Sequence, residues 1–170
     1  MGTAHLTTAR LSLRPLAGGD EASVLAALSD AAVSRWLTHV PYPYTPTDFA
    51  DFRSRPISAP GALWVVEEAG RFLGVVGLNE GELGYWFARR AWGLGIATEA
   101  ARAVVADAFA GGAERLTSGH ADANPASGRV LAKLGFEDEG AEILGQGPGA
   151  VRQFPGRRVA LTRARWERPS

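Results

Sequence analysis

The stretch Trp92-Gly93-Leu94-Gly95-Ile96-Ala97-Thr98-Glu99 constrains this chain more than any other, because it joins an apolar strand-like run to a long alanine-rich helix. Two glycines at the mouth of a helix let a ligand approach the backbone, since no Cβ stands in the way. The first helical N–H groups lack intrahelical partners, and the helix dipole adds partial positive charge there. Such a turn suits a pyrophosphate, and it points to a phosphorylated cofactor. Tight packing at a strand-to-helix junction is the competing reading for a bare Gly-x-Gly.

Two cofactor classes drop out at once. A dinucleotide fingerprint needs a third glycine, and that position is Thr98. The Gly-Lys-Ser/Thr ending of a nucleotide-triphosphate loop is also missing. Any anion site has to be local, because 18 basic residues balance 18 acidic ones. Bulk attraction to nucleic acid or anionic lipid is therefore not expected. The chain has no cysteine, which excludes disulfides, thiolate metal sites and a cysteine nucleophile. His5, His39 and His120 are too far apart for a helical zinc motif, so no metal site is expected. No signal pattern or membrane-length apolar run occurs in the sequence, so a cytoplasmic protein is expected.

Periodicity divides the 170 residues into one α+β, or mixed α/β, domain spanning 1–170. Residues 8–16 read as a strand, and Asp20 as the cap of a helix carrying Val24, Leu25 and Leu28. Residues 35–44, rich in proline and aromatics, read as an ordered loop. A short helix follows with Thr45 as cap, Pro46 at its first position and Asp48 three residues after the cap. Strands are expected at 63–67 and 72–78 around a glycine turn, and at 83–88. The helix from Gly95 should stop at Gly111-Gly112. Beyond it come a strand at 116–120, a helix at 127–134 ended by Gly135, and strands at 137–144 and 159–165 flanking a Gly/Pro-rich loop.

A second motif, Asn124-Pro125-Ala126-Ser127-Gly128-Arg129-Val130-Leu131-Ala132-Lys133-Leu134-Gly135-Phe136, follows the strand at 116–120. Together with Leu83-Gly84-Tyr85-Trp86-Phe87 and the glycine turn, it resembles the GNAT superfamily of acyl-CoA-dependent N-acyltransferases, specifically the RimJ/RimL-like branch. The best register of the family's Gln/Arg-x-x-Gly-x-Gly/Ala pattern is Trp92-x-x-Gly95-x-Ala97, with Trp92 in the Gln/Arg position. The resemblance implies the GNAT fold, with a central, mostly antiparallel twisted sheet flanked by helices. It implies acetyl-CoA as acyl donor. The strand Tyr85-Trp86-Phe87 would pair with the pantetheine arm and place the thioester beside Phe87. The N–H groups of Leu94, Gly95, Ile96, Ala97 and Thr98, after Trp92 and Gly93, would cradle the pyrophosphate. Arg89 and Arg90 are candidates for outer phosphate contacts, with a solvated loop as the alternative. Asn124 would bond the cofactor arm, or else begin a turn while Ser127 caps the helix.

The chemistry needs an uncharged amine, a donor for the developing oxyanion and a contact for the leaving thiolate. Many superfamily members use a tyrosine seven residues beyond the Asn, but that position here is Leu131. Ser127 becomes the candidate proton donor or thiol contact, while Glu82 and His120 are candidate bases, with structural roles as their alternatives. Trp36, Tyr42 and Tyr44 lie where the acceptor cleft is shaped in the similar family, and aromatic faces accommodate cations. The implied activity is acetyl transfer to a primary amine, either a protein N-terminus or a small molecule. The alternative is a CoA-binding sensor with little activity. The expected partner is the amine acceptor; a homodimer is left open.

Overall fold

The computed structural model describes residues 4–58 and 61–168. Eight strands form one sheet: β1 (Leu6–Thr7), β2 (Ser12–Pro15), β3 (Ala62–Glu68), β4 (Arg71–Asn79), β5 (Glu82–Phe87), β6 (Arg115–Ala121), β7 (Glu137–Leu144) and β8 (Phe154–Thr162). Their spatial order is β1-β2-β3-β4-β5-β6-β8-β7. Neighbours are antiparallel except β5 and β6, which run parallel. The helices are α1 (Glu21–Leu28), α2 (Ala31–Ser34), α3 (Pro46–Ser54), α4 (Ile96–Ala110), α5 (Pro125–Leu134) and α6 (Arg163–Trp166).

Each face of the sheet has its own core. On one, Ile96, Ala100, Val104, Leu131 and Leu134 of α4 and α5 lie on Leu83, Leu116 and Leu161. On the other, Val24, Leu28 and Phe49 of α1 and α3 lie on Val65, Phe72 and Val75. Each of these side chains except the smaller Ala100 contributes about 1.5–3 kcal/mol by leaving water. The hairpins β3–β4 and β4–β5 turn at Ala69-Gly70 and Glu80-Gly81, all four with positive φ. That pairing matches the right-handed twist of the strands.

Several expectations change. The strand expected at 8–16 forms only over Ser12–Pro15, because Thr8 N–H bonds the Leu11 carbonyl and turns the chain, and a short strand, β1, precedes that turn. Asp20 does not cap α1 with its side chain. Its carboxylate instead accepts from Ala17 N and from both Arg14 η nitrogens, at 2.7–2.9 Å. A short helix, α2, precedes the aromatic loop, and Asp30 Oδ1 caps it by accepting from Ala32 N. The last strand starts at Phe154 and ends at Thr162, not 159–165. Pairing with β6 on one side and β7 on the other extends it through Pro155 and Gly156, which local propensity disfavours. Thr162 then caps α6 by accepting from Arg165 N. The remaining helices and hairpins follow the expected order, including the Thr45–Asp48 capping box of α3.

Candidate active site

The site begins where β5 and β6 part. They share one register pair, Glu82 with Thr117, and Thr117 N donates to Gly81 O at 2.9 Å. One step further, Ser118 Oγ takes the Leu83 carbonyl at 2.8 Å, a place a strand N–H would otherwise fill. Beyond it the strands diverge. Ala88 N bonds Leu73 O, which makes Phe87 and Gly74 a non-hydrogen-bonded pair of β4 and β5. By alternation the N–H and C=O of Tyr85 and Phe87 point away from β4, into the gap. Trp92 Nε1 donates to the Phe87 carbonyl at 2.9 Å. An unpaired strand edge facing a cleft can bind an extended, amide-bearing ligand by main-chain bonds.

The gap opens onto the glycine turn. Gly93 and Gly95 have φ of 72° and 75°, a region other L-residues avoid. A Cβ at Gly93 would meet nothing within 4 Å, so the backbone there faces open space. Gly95 is the N-cap of α4, with Ile96 its first helical residue. The free N–H groups of Ile96, Ala97 and Thr98 therefore stand at the positive end of a 15-residue helix. Leu94 and Trp92 are exposed on the turn. These residues fit a pyrophosphate followed by an extended arm.

The cation at this turn is one the sequence reading missed. Arg10 Nη2 donates to the Leu94 carbonyl at 2.6 Å, and its Nε to Glu99 Oε2 at 2.7 Å. Thr8 Oγ1 donates to the other Glu99 oxygen at 2.5 Å. Burial resists ionisation of Glu99, yet the bonds from Thr8 and Arg10 outweigh it and hold its pKa below the usual range. Arg89 and Arg90, the expected phosphate contacts, have partners elsewhere. Arg89 forms a two-bond pair with Asp30 at 2.7 and 2.8 Å, and Arg90 donates to the Phe72 carbonyl.

Across the gap stands the start of α5. Asn124, not Ser127, is the N-cap, with its Oδ1 facing Ser127 N at 3.5 Å. The alternative in which Ser127 caps the helix is thereby corrected, and its hydroxyl is left free. It meets the Tyr85 hydroxyl at 3.0 Å, a bond spanning the gap from β5 to α5. Burial, only partly opposed by that bond, pushes the Tyr85 phenol up to about 12. Leu131, seven residues beyond Asn124, is buried in the core, and α5 brings no phenol to this wall.

The candidate bases lie apart from each other. His120 faces α5: a Cβ added to Gly128 would come within 2.9 Å of its ring. Glu82 is exposed where β5 and β6 part, 3.3 Å from Arg158 Nη1. Arg158 Nε in turn lies 3.7 Å from Glu142 Oε2, a buried oxygen with no hydrogen-bond partner.

The acceptor-side aromatics divide. Tyr44 and Trp86 line a cavity of about 100 Å³ that Asp48, Asp51, His39 and Arg55 also reach. Burial first, and Asp48 next, push the Tyr44 phenol up to about 12. Trp36 packs on Phe154 with ring centroids 5.9 Å apart, and exposed Tyr42 donates to the Ser29 carbonyl. Arg152 fastens the 145–153 loop over this segment: its Nη1 reaches Leu37 O at 3.0 Å and Val40 O at 2.5 Å. Among the described residues, no three acidic or histidine side chains form a metal-holding group, and no helix is long and apolar enough to cross a membrane.

A parallel strand pair parts around a cleft that ends on a glycine turn at the N-terminus of α4. The family model for the acetyltransferase (GNAT) domain matches residues 10–137, and the chain belongs to that family, whose members are acetyl-CoA-dependent N-acetyltransferases. Solved structures share the fold at low identity. Mycobacterium smegmatis RimJ in complex with CoA-disulfide is 23% identical with a TM-score of 0.78, covering 93% of this chain and 84% of that one. Vibrio cholerae spermidine N-acetyltransferase in complex with CoA and spermine is 18% identical with a TM-score of 0.77, covering 95% and 100%. RimL, a ribosomal L7/L12 alpha-N-protein acetyltransferase, in complex with coenzyme A, is 17% identical with a TM-score of 0.71, covering 94% and 98%. No curated protein matches the sequence.

Proposed function

We propose that this enzyme transfers the acetyl group of acetyl-CoA to a primary amine by direct attack. The observation that carries the reading is the unpaired edge of β5, where the N–H and C=O of Tyr85 and the N–H of Phe87 open onto the Gly93–Thr98 turn. When bound, acetyl-CoA supplies an acyl carbon activated as a thioester. Tyr85 and Phe87 pair with its arm through their backbone, and the Asn124 amide nitrogen bonds the arm from the other wall. The N–H groups of Gly95, Ile96, Ala97 and Thr98 hold the pyrophosphate, with Arg10 as the adjoining cation.

The acyl end then lies toward the narrowing of the gap, near Tyr85 and Ser127. Ser127 contacts the departing sulfur, and Glu82, where β5 and β6 part, takes the amine's proton through water. Its contact with Arg158 holds the carboxylate in place. His120, packed against Gly128, serves as the wall under α5. The amine arrives from the α1–α3 side of the sheet, where Tyr44, Trp86, Asp48 and Asp51 offer aromatic faces and carboxylates to a cation. The similar structures act on two acceptor classes by name, spermidine and a ribosomal-protein N-terminus. Both are primary amines, and either class suits the frame. The test is mass analysis after incubation with acetyl-CoA and a panel of peptides and small amines. Gain of one acetyl group on a panel member supports the reading, whereas CoA binding with no product across the panel assigns the chain to sensing.

A further inference from the structure

Leu131 removes the phenol that many similar enzymes carry on α5, yet a phenol still reaches the same wall from the opposite strand. The Tyr85 hydroxyl lies 3.0 Å from Ser127 Oγ and 3.3 Å from the Ser127 carbonyl. The two residues are 42 positions apart and sit on opposite sides of the gap between β5 and α5. A serine hydroxyl has one proton and two lone pairs. When Tyr85 donates to Oγ, the serine proton is left over and can be directed only elsewhere. When Tyr85 donates to the carbonyl, at the longer distance, the serine proton points back to the phenol oxygen. The 3.0 Å contact is common to both arrangements, and a thiolate standing in the gap selects the first, because it accepts the serine proton and leaves Oγ to accept from Tyr85. Helix capping makes no competing demand on this hydroxyl, because Asn124 supplies the cap of α5.

We propose that Tyr85 is a positioning residue for the leaving group: by donating to Ser127 Oγ it aims the Ser127 proton into the gap, where the CoA sulfur departs. The inference rests on the acetyltransferase reading above. Burial keeps the phenol protonated throughout the neutral range, so Tyr85 stays a donor. A bond received from Tyr85 also polarises the Ser127 O–H and strengthens the bond it gives. In the reaction the new C–N bond forms, the C–S bond breaks and the electron pair stays on sulfur. A thiol is far more acidic than either hydroxyl, with an ordinary pKa of about 8.5. Ser127 therefore stabilises the thiolate by a hydrogen bond without giving up its proton. The proton lost by the amine nitrogen reaches solvent and balances the one the thiolate later takes up.

The chain has no cysteine, so in its complex with CoA the only thiol is that of the ligand. Its ionisation can be followed by ultraviolet absorbance against pH in the wild type, Tyr85→Phe and Ser127→Ala, beside steady-state turnover and CoA calorimetry. The wild type should hold the bound thiol at a lower pKa than either variant. Each variant should lose about tenfold in kcat, the scale of one directed hydrogen bond, with little change in CoA affinity at neutral pH, where the thiol is protonated. The double variant should be no slower than the slower single one, as expected for residues acting as one unit. The same thiol titration and kcat in Tyr85→Phe as in the wild type would overturn the proposal. Failure of CoA to bind the wild type would instead overturn the acetyltransferase reading, a result distinct from an active enzyme indifferent to Tyr85.

Discussion

Arg10 Nη2 bonds the Leu94 carbonyl at 2.6 Å and links residues 84 positions apart, so the segment before β2 holds the middle of the glycine turn. The bond occupies the Leu94 carbonyl, and the guanidinium that makes it, held on its other side by Glu99 at 2.7 Å, stands beside the turn. Arg10→Ala should weaken CoA binding about tenfold, with little change in acceptor KM. Calorimetry checks the first part and initial rates the second. Unchanged CoA affinity would reduce Arg10 to a structural tie.

Gly95 carries φ of 75° at the N-cap of α4. Gly95→Val would place a branched side chain in a backbone region that costs other residues about 1–2 kcal/mol. The expected outcome is a lower melting temperature and CoA affinity reduced by tenfold or more on the order of the same energy. Calorimetry that finds wild-type affinity would remove the turn from the pyrophosphate site.

Asp20 sits almost buried under Arg14, which also reaches Glu67 at 2.6 Å. Burial alone would raise its pKa, but the bonds from Arg14 and from the Ala17 N–H outweigh burial and lower it. A carboxylate whose folded pKa lies below its unfolded value adds stability that is fully present above the unfolded value, about 3.9. That stability fades as pH falls through the lower folded value. Asp20→Asn should cost about 2 kcal/mol at neutral pH and flatten the fall in melting temperature on acidification below about pH 4. Parallel acid limbs for the two proteins would contradict the assignment.

Arg152 fastens the 145–153 loop to Leu37 and Val40 on the acceptor side, away from the glycine turn. Arg152→Ala should raise acceptor KM several-fold, roughly the loss of two hydrogen bonds from a charged donor, while CoA affinity holds. A change confined to CoA binding would place the loop on the wrong half of the reaction.

What could be read from the chain was what local chemistry determines. Gly70, the Thr45–Asp48 box and Gly93–Gly95 each carry their conformation in the residues themselves, and the first hairpin, α3 and the turn stand where those residues put them. β8 ran beyond its expected start because two flanking strands, not its own Pro155 and Gly156, decide its pairing. Asn124 in the cap moved the start of α5 two residues earlier and released the Ser127 hydroxyl. Tyr85 with Ser127 and Arg10 with Leu94 were out of reach, since each pair meets only after the sheet has formed. Asp48 and Asp51 gave no sign of sharing a cavity with Trp86, which comes from another element.

The most direct test is release of free CoA thiol from acetyl-CoA by the purified chain, with and without each member of the amine panel. Acetyl transfer predicts release that depends on a particular primary amine, saturates with it and yields the acetylated amine in equal amount. Tight acetyl-CoA binding with no amine-dependent release would contradict the account and leave a binding module in its place.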